Sequence, residues 1–121
     1  MESKVNNPEF NELIEISKYI YKQLGSGLKA SVYSDVLELE LELRNVSYSK
    51  EKVLLRKEEK DYLICFDKLM VVINSWDYLT EEGEEYFLNV LNDKNIQQAL
   101  LLNFGPENLQ FIKVGEPVLG C

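Results

Sequence analysis

The side chains here that could do chemistry are carboxylates, lysines and phenols, because none of the 121 residues is histidine. That removes the commonest general base, the commonest zinc ligand and every Ser-His or Cys-His nucleophile pair. The cysteines, Cys65 and Cys121, form neither a metal-ligand spacing nor a disulfide framework. Cys65, between Ile64 and Phe66, reads as an inert small hydrophobe. Lys50, Lys52, Arg56, Lys57 and Lys60 gather basic charge in one stretch and could grip phosphates, but Glu51, Glu58 and Glu59 interleave them. A solvated charged ribbon is the simpler reading. Glu81, Glu82, Glu84 and Glu85 could attract a cation, yet they follow Thr80 directly. Acids there complement the positive end of a helix dipole. Trp76 and Tyr78, if partly exposed, are interface anchors, and otherwise ordinary core.

The elements that must position these residues follow from periodicity. Asn7-Pro8-Glu9 is a helix start, with a capping side chain, a proline in the first turn and an acid near the dipole. Leu13, Ile16, Ile20 and Leu24 continue it as one apolar stripe, and Gly25-Ser26-Gly27 ends it. A second helix is expected from about Leu28 to Arg44, with Val32, Val36, Leu39 and Leu43 as its stripe and Tyr33 and Leu37 beside it. Residues 38–43 alternate Glu and Leu as a half-buried strand would, but both are strong helix formers, so helix is favoured. Strands are expected at Ser47–Arg56, Tyr62–Phe66 and Leu69–Ile73, with a charged turn at 57–60 and a tight turn at Asp67-Lys68. Thr80 caps a third helix whose core face is Tyr86, Phe87, Val90 and Leu91, and Gly83 inside it costs up to about 1 kcal/mol relative to alanine. Strands at Ala99–Phe104 and Leu109–Val114 flank a turn at 105–108. The order α-α-β-β-β-α-β-β predicts an α/β fold: a mixed sheet with flanking helices, its third and fourth strands parallel through a crossover helix.

Composition bounds the function. One domain spanning 1–121 is expected, with loose ends at about 1–7 and 115–121. The net charge of −8 opposes nucleic acid as the main partner, because phosphate binding relies on Lys and Arg. No apolar run is long enough to span a bilayer, so a soluble intracellular protein, cytoplasmic or nuclear, is expected.

Three separated blocks resemble one known family. The segment Leu24-Gly25-Ser26-Gly27-Leu28-Lys29-Ala30-Ser31-Val32-Tyr33 is similar to the signature of the GxxExxY family, whose members resemble PD-(D/E)XK nucleases. The pairs Leu79-Thr80 and Leu88-Asn89, and the C-terminal text Leu100-Leu101-Leu102-Asn103-Phe104-Gly105 followed by Leu109-Gln110-Phe111, also fall in order. The resemblance covers about residues 10–114 and implies a PD-(D/E)XK nuclease-like fold. It also implies where a metal-dependent nuclease would carry its chemistry. The signature glutamate falls on Ala30, the second-strand aspartate on Tyr62, the third-strand acid and lysine on Val72 and Asn74, and a helix glutamine on Tyr86. Phosphodiester hydrolysis of this kind needs carboxylates to hold Mg²⁺ and a nearby lysine to steady water and charge. Those groups are missing here, so the expectation is a pseudoenzyme with no catalytic, metal or cofactor site. Tyr62, Trp76 and Tyr86 would fill the volume of a polar site.

Such a protein acts by binding another protein or a second copy of itself. Trp76, Tyr78, Tyr33 and Tyr62 are the candidate contacts, although Gly27 and Tyr33 are also expected to serve the turn and helix packing, with Gly27 at positive φ. One alternative is a nucleic-acid-binding module using Lys50, Lys52, Arg56 and Lys60. Another is a magnesium-dependent nuclease with its site relocated to Asp61, Asp67 or Asp77, although strand alternation turns Asp61 to the opposite face from Tyr62.

Overall fold

The computed structural model describes residues 8–55, 58–76 and 80–115, with side chains 53–60 excepted. Three helices and five strands follow in the expected order: α1 (Pro8–Leu24), α2 (Ala30–Leu43), β1 (Tyr48–Leu55), β2 (Glu58–Cys65), β3 (Leu69–Asn74), α3 (Glu81–Asp93), β4 (Gln98–Asn103) and β5 (Gln110–Val114). The strands form one mixed sheet in the order β1-β2-β3-β4-β5, with β3 and β4 parallel and the other pairs antiparallel. β2 starts earlier than the charge pattern suggests: Glu58, Glu59 and Lys60 pair with Leu55, Leu54 and Val53 rather than forming the turn. Charged residues are tolerated there because β1 is an edge strand.

The sheet separates two apolar layers. On one face α1 and α2 cover Leu63, Cys65, Leu69, Val71, Ile73, Leu100 and Leu102. On the other, α3 supplies Phe87, Val90 and Leu91 against Tyr62, Met70, Val72, Ala99 and Leu101. β3 and β4 are buried on both faces, as central parallel strands require, hence their near-continuous apolar text.

Both α2 and α3 stop in the same way. Asn45 and Asn95 take left-handed φ values of 59° and 57°. Val46 N–H donates to the Leu41 carbonyl and Asn45 N–H to Glu42, while Ile96 donates to Leu91 and Asn95 to Asn92. This is the Schellman arrangement, in which the residue after the left-handed position also packs back on the helix. Val46 and Ile96 accordingly join the two core layers, one each.

The face of α2 differs from the expected one. Tyr33, Leu37 and Leu41 are fully buried, whereas Val32, Leu39 and Leu43 are exposed and Val36 is half-buried. Two apolar faces compete on this helix, and the one headed by Tyr33 points inward because its ring and hydroxyl both find partners there.

Candidate functional site

The segment from α1 into α2 is built on backbone conformation. Gly25 and Gly27 adopt φ of 77° and 82°, the left-handed region that glycine occupies without steric cost. The Tyr33 hydroxyl donates to the Gly25 carbonyl at 2.6 Å and accepts from Leu28 N–H at 3.1 Å. Its ring stacks on Phe104, with centroids 4.3 Å apart and planes 13° apart, and Gly27 N–H donates to the Phe104 carbonyl. Ser75 Oγ donates to the Leu28 carbonyl. The first turn of α2 is thereby fixed over the C-terminal ends of β3 and β4. The expectation that Gly27 and Tyr33 serve the turn and the packing agrees with this geometry.

Beside that turn, on the α2 face of the sheet, lies a shallow cleft of about 270 Å³ lined by Ala30, Ser34, Asp35, Lys50, Lys52 and Asp61. Lys50 Nζ lies 3.2 Å from Glu38 and 3.5 Å from Asp61, and Lys52 Nζ lies 3.5 Å from Asp61. The Glu38 hydrogen bond, with its charge, pushes the Lys50 ammonium pKa up and keeps it cationic. Tyr48 next to it donates to the Glu42 carboxylate at 2.6 Å, which raises its phenol well above the ordinary range. Among the described residues, Glu38 from α2 and Asp61 from β2 therefore pair with these lysines across elements. The side chains of Arg56 and Lys60, the other two members of the expected basic face, lie outside the described residues.

The positions marked by the resemblance are divided by the sheet. Ala30 packs on the α1–α2 side. Tyr62 and Val72 belong to the α3 layer, where both are buried among Met70, Phe87, Val90 and Leu91. Lys94 Nζ stands 5.9 Å from the Tyr62 ring centroid. Tyr86 is half-buried on α3, and Asn74 is buried at the end of β3. Asp61, on the opposite face from Tyr62 as alternation requires, faces the lysines. Asp67 sits in the β2–β3 turn at φ 63°, beyond the end of β2, which itself lies about 13 Å along the strand from Asp61 at the usual rise. Asp77 and Tyr78 lie outside the described residues. Among the described residues no three His, Cys, Asp or Glu side chains converge as a metal ligand set.

Tyr33 and Tyr62 were expected to contact a partner, and burial removes both from the surface: they are 0% and 7% exposed. Trp76 remains 38% exposed. Its backbone N–H donates to Asn103 Oδ1 at 2.8 Å, and its ring lies over Gly83, where an added Cβ would come within 2.7 Å. The residue that sequence reasoning passed over is Asn103. Fully buried, it accepts from Trp76 and Gly105 N–H and donates to Gln110, joining β3, β4 and β5 at the end of the sheet nearest α2. Its signals were a polar residue closing the apolar run 99–102 and its place in the C-terminal block of the resemblance. Burial pushes the Cys65 thiol up to about 12, which fits an inert hydrophobe.

This fold has its counterpart in sequence: the profile of the PD-(D/E)XK nuclease superfamily matches residues 7–114, and the chain belongs to that superfamily. Searches of curated proteins and of solved structures found no match. Among the described residues no helix is long and apolar enough to cross a membrane.

Proposed function

We propose that this protein is a superfamily member that does not cleave phosphodiesters and works by binding another protein, as a scaffolding or regulatory module. One observation carries the reading. Where the resemblance places a second-strand aspartate and a third-strand acid, Tyr62 and Val72 are packed into the apolar layer beneath α3. Magnesium takes oxygen ligands in near-octahedral geometry and keeps several of its waters. A phenol and an isopropyl group in an apolar layer do not fit such an ion, so no catalytic step is derived through it. Asn74 supplies at most a neutral amide, and Asp61 has its carboxylate committed to Lys50 and Lys52 on the other side of the sheet. A net charge of −8 and paired lysines likewise speak against nucleic acid as the partner.

Titration calorimetry of Mg²⁺ and Mn²⁺ into the protein, run beside a supercoiled-plasmid nicking assay, tests this reading. The expected outcome is no saturable heat and no metal-dependent nicking. Stoichiometric binding together with nicking that disappears in Asp61→Asn would overturn it in favour of a relocated nuclease site.

A further inference from the structure

Among the described residues, the two-faced character of α2 leaves an apolar row largely uncovered, with Val36 alone packed partly against the core. Val32, Val36, Leu39 and Leu43 are spaced four, three and four residues apart, which is the seam spacing of a coiled coil rather than the wider stripe of a core helix. Leu43 is 69% exposed, Leu39 54% and Val32 39%, and Leu28 extends the strip beyond the N-terminal end of the helix. Scattered single apolar residues on a surface need no explanation, whereas a contiguous seam of this kind marks a contact.

Charge decides what covers it. Residues 30–43 carry Asp35, Glu38, Glu40 and Glu42 and no lysine or arginine. On a helical wheel Asp35 and Glu42 border the seam on one side, Glu42 also accepting from Tyr48, and Glu40, paired with Arg44 at 3.2 Å, borders it on the other. A second copy of this chain would set the same acids against each other in either helix orientation. Like charges at flanking positions select against such a pairing. A lipid surface, commonly anionic, is disfavoured for the same reason.

We propose that the outward face of α2 is a docking site for an amphipathic helix of another protein, apolar along a 3.5-residue seam and flanked by lysine or arginine. The apolar residues would supply the contact, while the carboxylates would set orientation and partner choice. This names the partner class for the protein-binding reading above and rests on it. The metal titration tests that reading separately, so either can fail without the other.

The probe is a labelled synthetic helix of about 21 residues with leucine at the seam positions and lysine at the flanking ones, compared with a counterpart carrying glutamate there. Fluorescence anisotropy in about 150 mM salt suppresses long-range attraction while leaving close contacts. The lysine peptide is expected to bind saturably and the glutamate peptide not to bind. Leu39→Glu should weaken binding about tenfold or more, although it makes the surface more acidic. Leu43→Glu, at the exposed end of the seam, is a second variant should Leu39→Glu disturb folding. Unchanged or tighter binding by these variants would mean charge attraction alone, and would overturn the proposal. So would absence of binding by the lysine peptide. Sedimentation of the protein alone supplies the remaining outcome: a dimer abolished by Leu39→Glu would assign the seam to a second copy and sink the partner named here.

Discussion

Tyr33 shows how a residue of a recognisable motif is retained for its structure. Its ring covers Phe104, and its hydroxyl completes two backbone groups of the turn that launches α2, the Gly25 carbonyl and the Leu28 N–H. Tyr33→Phe keeps the stack and strands both groups. Both groups are part-buried, and leaving them without the hydroxyl costs about 1 kcal/mol, toward the low end for unsatisfied groups. A urea unfolding midpoint should therefore fall by that equivalent with an unchanged slope. A loss below about 0.5 kcal/mol would mean that water replaces the hydroxyl and that the turn does not depend on it. The glycine and tyrosine of the motif could be read from sequence. That the hydroxyl bonds back eight residues to Gly25 could not, because the turn between them is set by two left-handed glycines.

At the scale of the element, α3 explains a residue that looks like a defect. Glycine in a helix interior is about 1 kcal/mol worse than alanine, yet Gly83 lies in the first turn of α3. Its missing side chain makes room for the Trp76 ring, and its N–H donates to the capping Thr80 hydroxyl at 3.0 Å. Gly83→Ala alone should therefore not stabilise the protein, and the tryptophan emission should shift to the red as the ring is displaced. Combined with Trp76→Ala, the same change should stabilise by about 1 kcal/mol, the helix-propensity gain. A double-mutant cycle measures the difference, and equal effects in both backgrounds would mean that ring and helix are not coupled. The two faces of α2 carry the complementary lesson. Periodicity identified a helix against a competing strand pattern, and selected the wrong face of it, because Tyr33-Leu37-Leu41 and Val32-Val36-Leu39-Leu43 are both apolar rows.

Over the whole molecule, an excess of eight negative charges acts through self-repulsion. The ion pairs that oppose it, Lys50 and Lys52 with Asp61 and Lys68 with Glu9, join exposed or half-exposed side chains, and such pairs contribute about 0–1 kcal/mol each. Raising salt from about 10 to 150 mM shortens the screening length from about 30 to 8 Å, which weakens long-range repulsion more than contact pairs. The thermal midpoint should rise over that range. A fall would show that the ion pairs around β1 and α2 outweigh the net charge.

The sequence by itself determined the order of elements, the parallel crossover through α3, the acidic balance and the identity of the residues at Ala30, Tyr62, Val72 and Asn74. These are local or compositional properties: periodicity reports backbone spacing, and charge adds up regardless of fold. Tertiary structure alone decided which way α2 turns, that Glu38 and Asp61 come within reach of Lys50 and Lys52, and that Tyr33 and Tyr62 are withdrawn from the surface. It also placed Asn103 where three strands and a tryptophan meet. Each of these depends on contacts between residues far apart in the chain. A helix with two apolar faces has no internal preference between them, so the choice passes to whichever face finds a stacking ring and two backbone groups to satisfy.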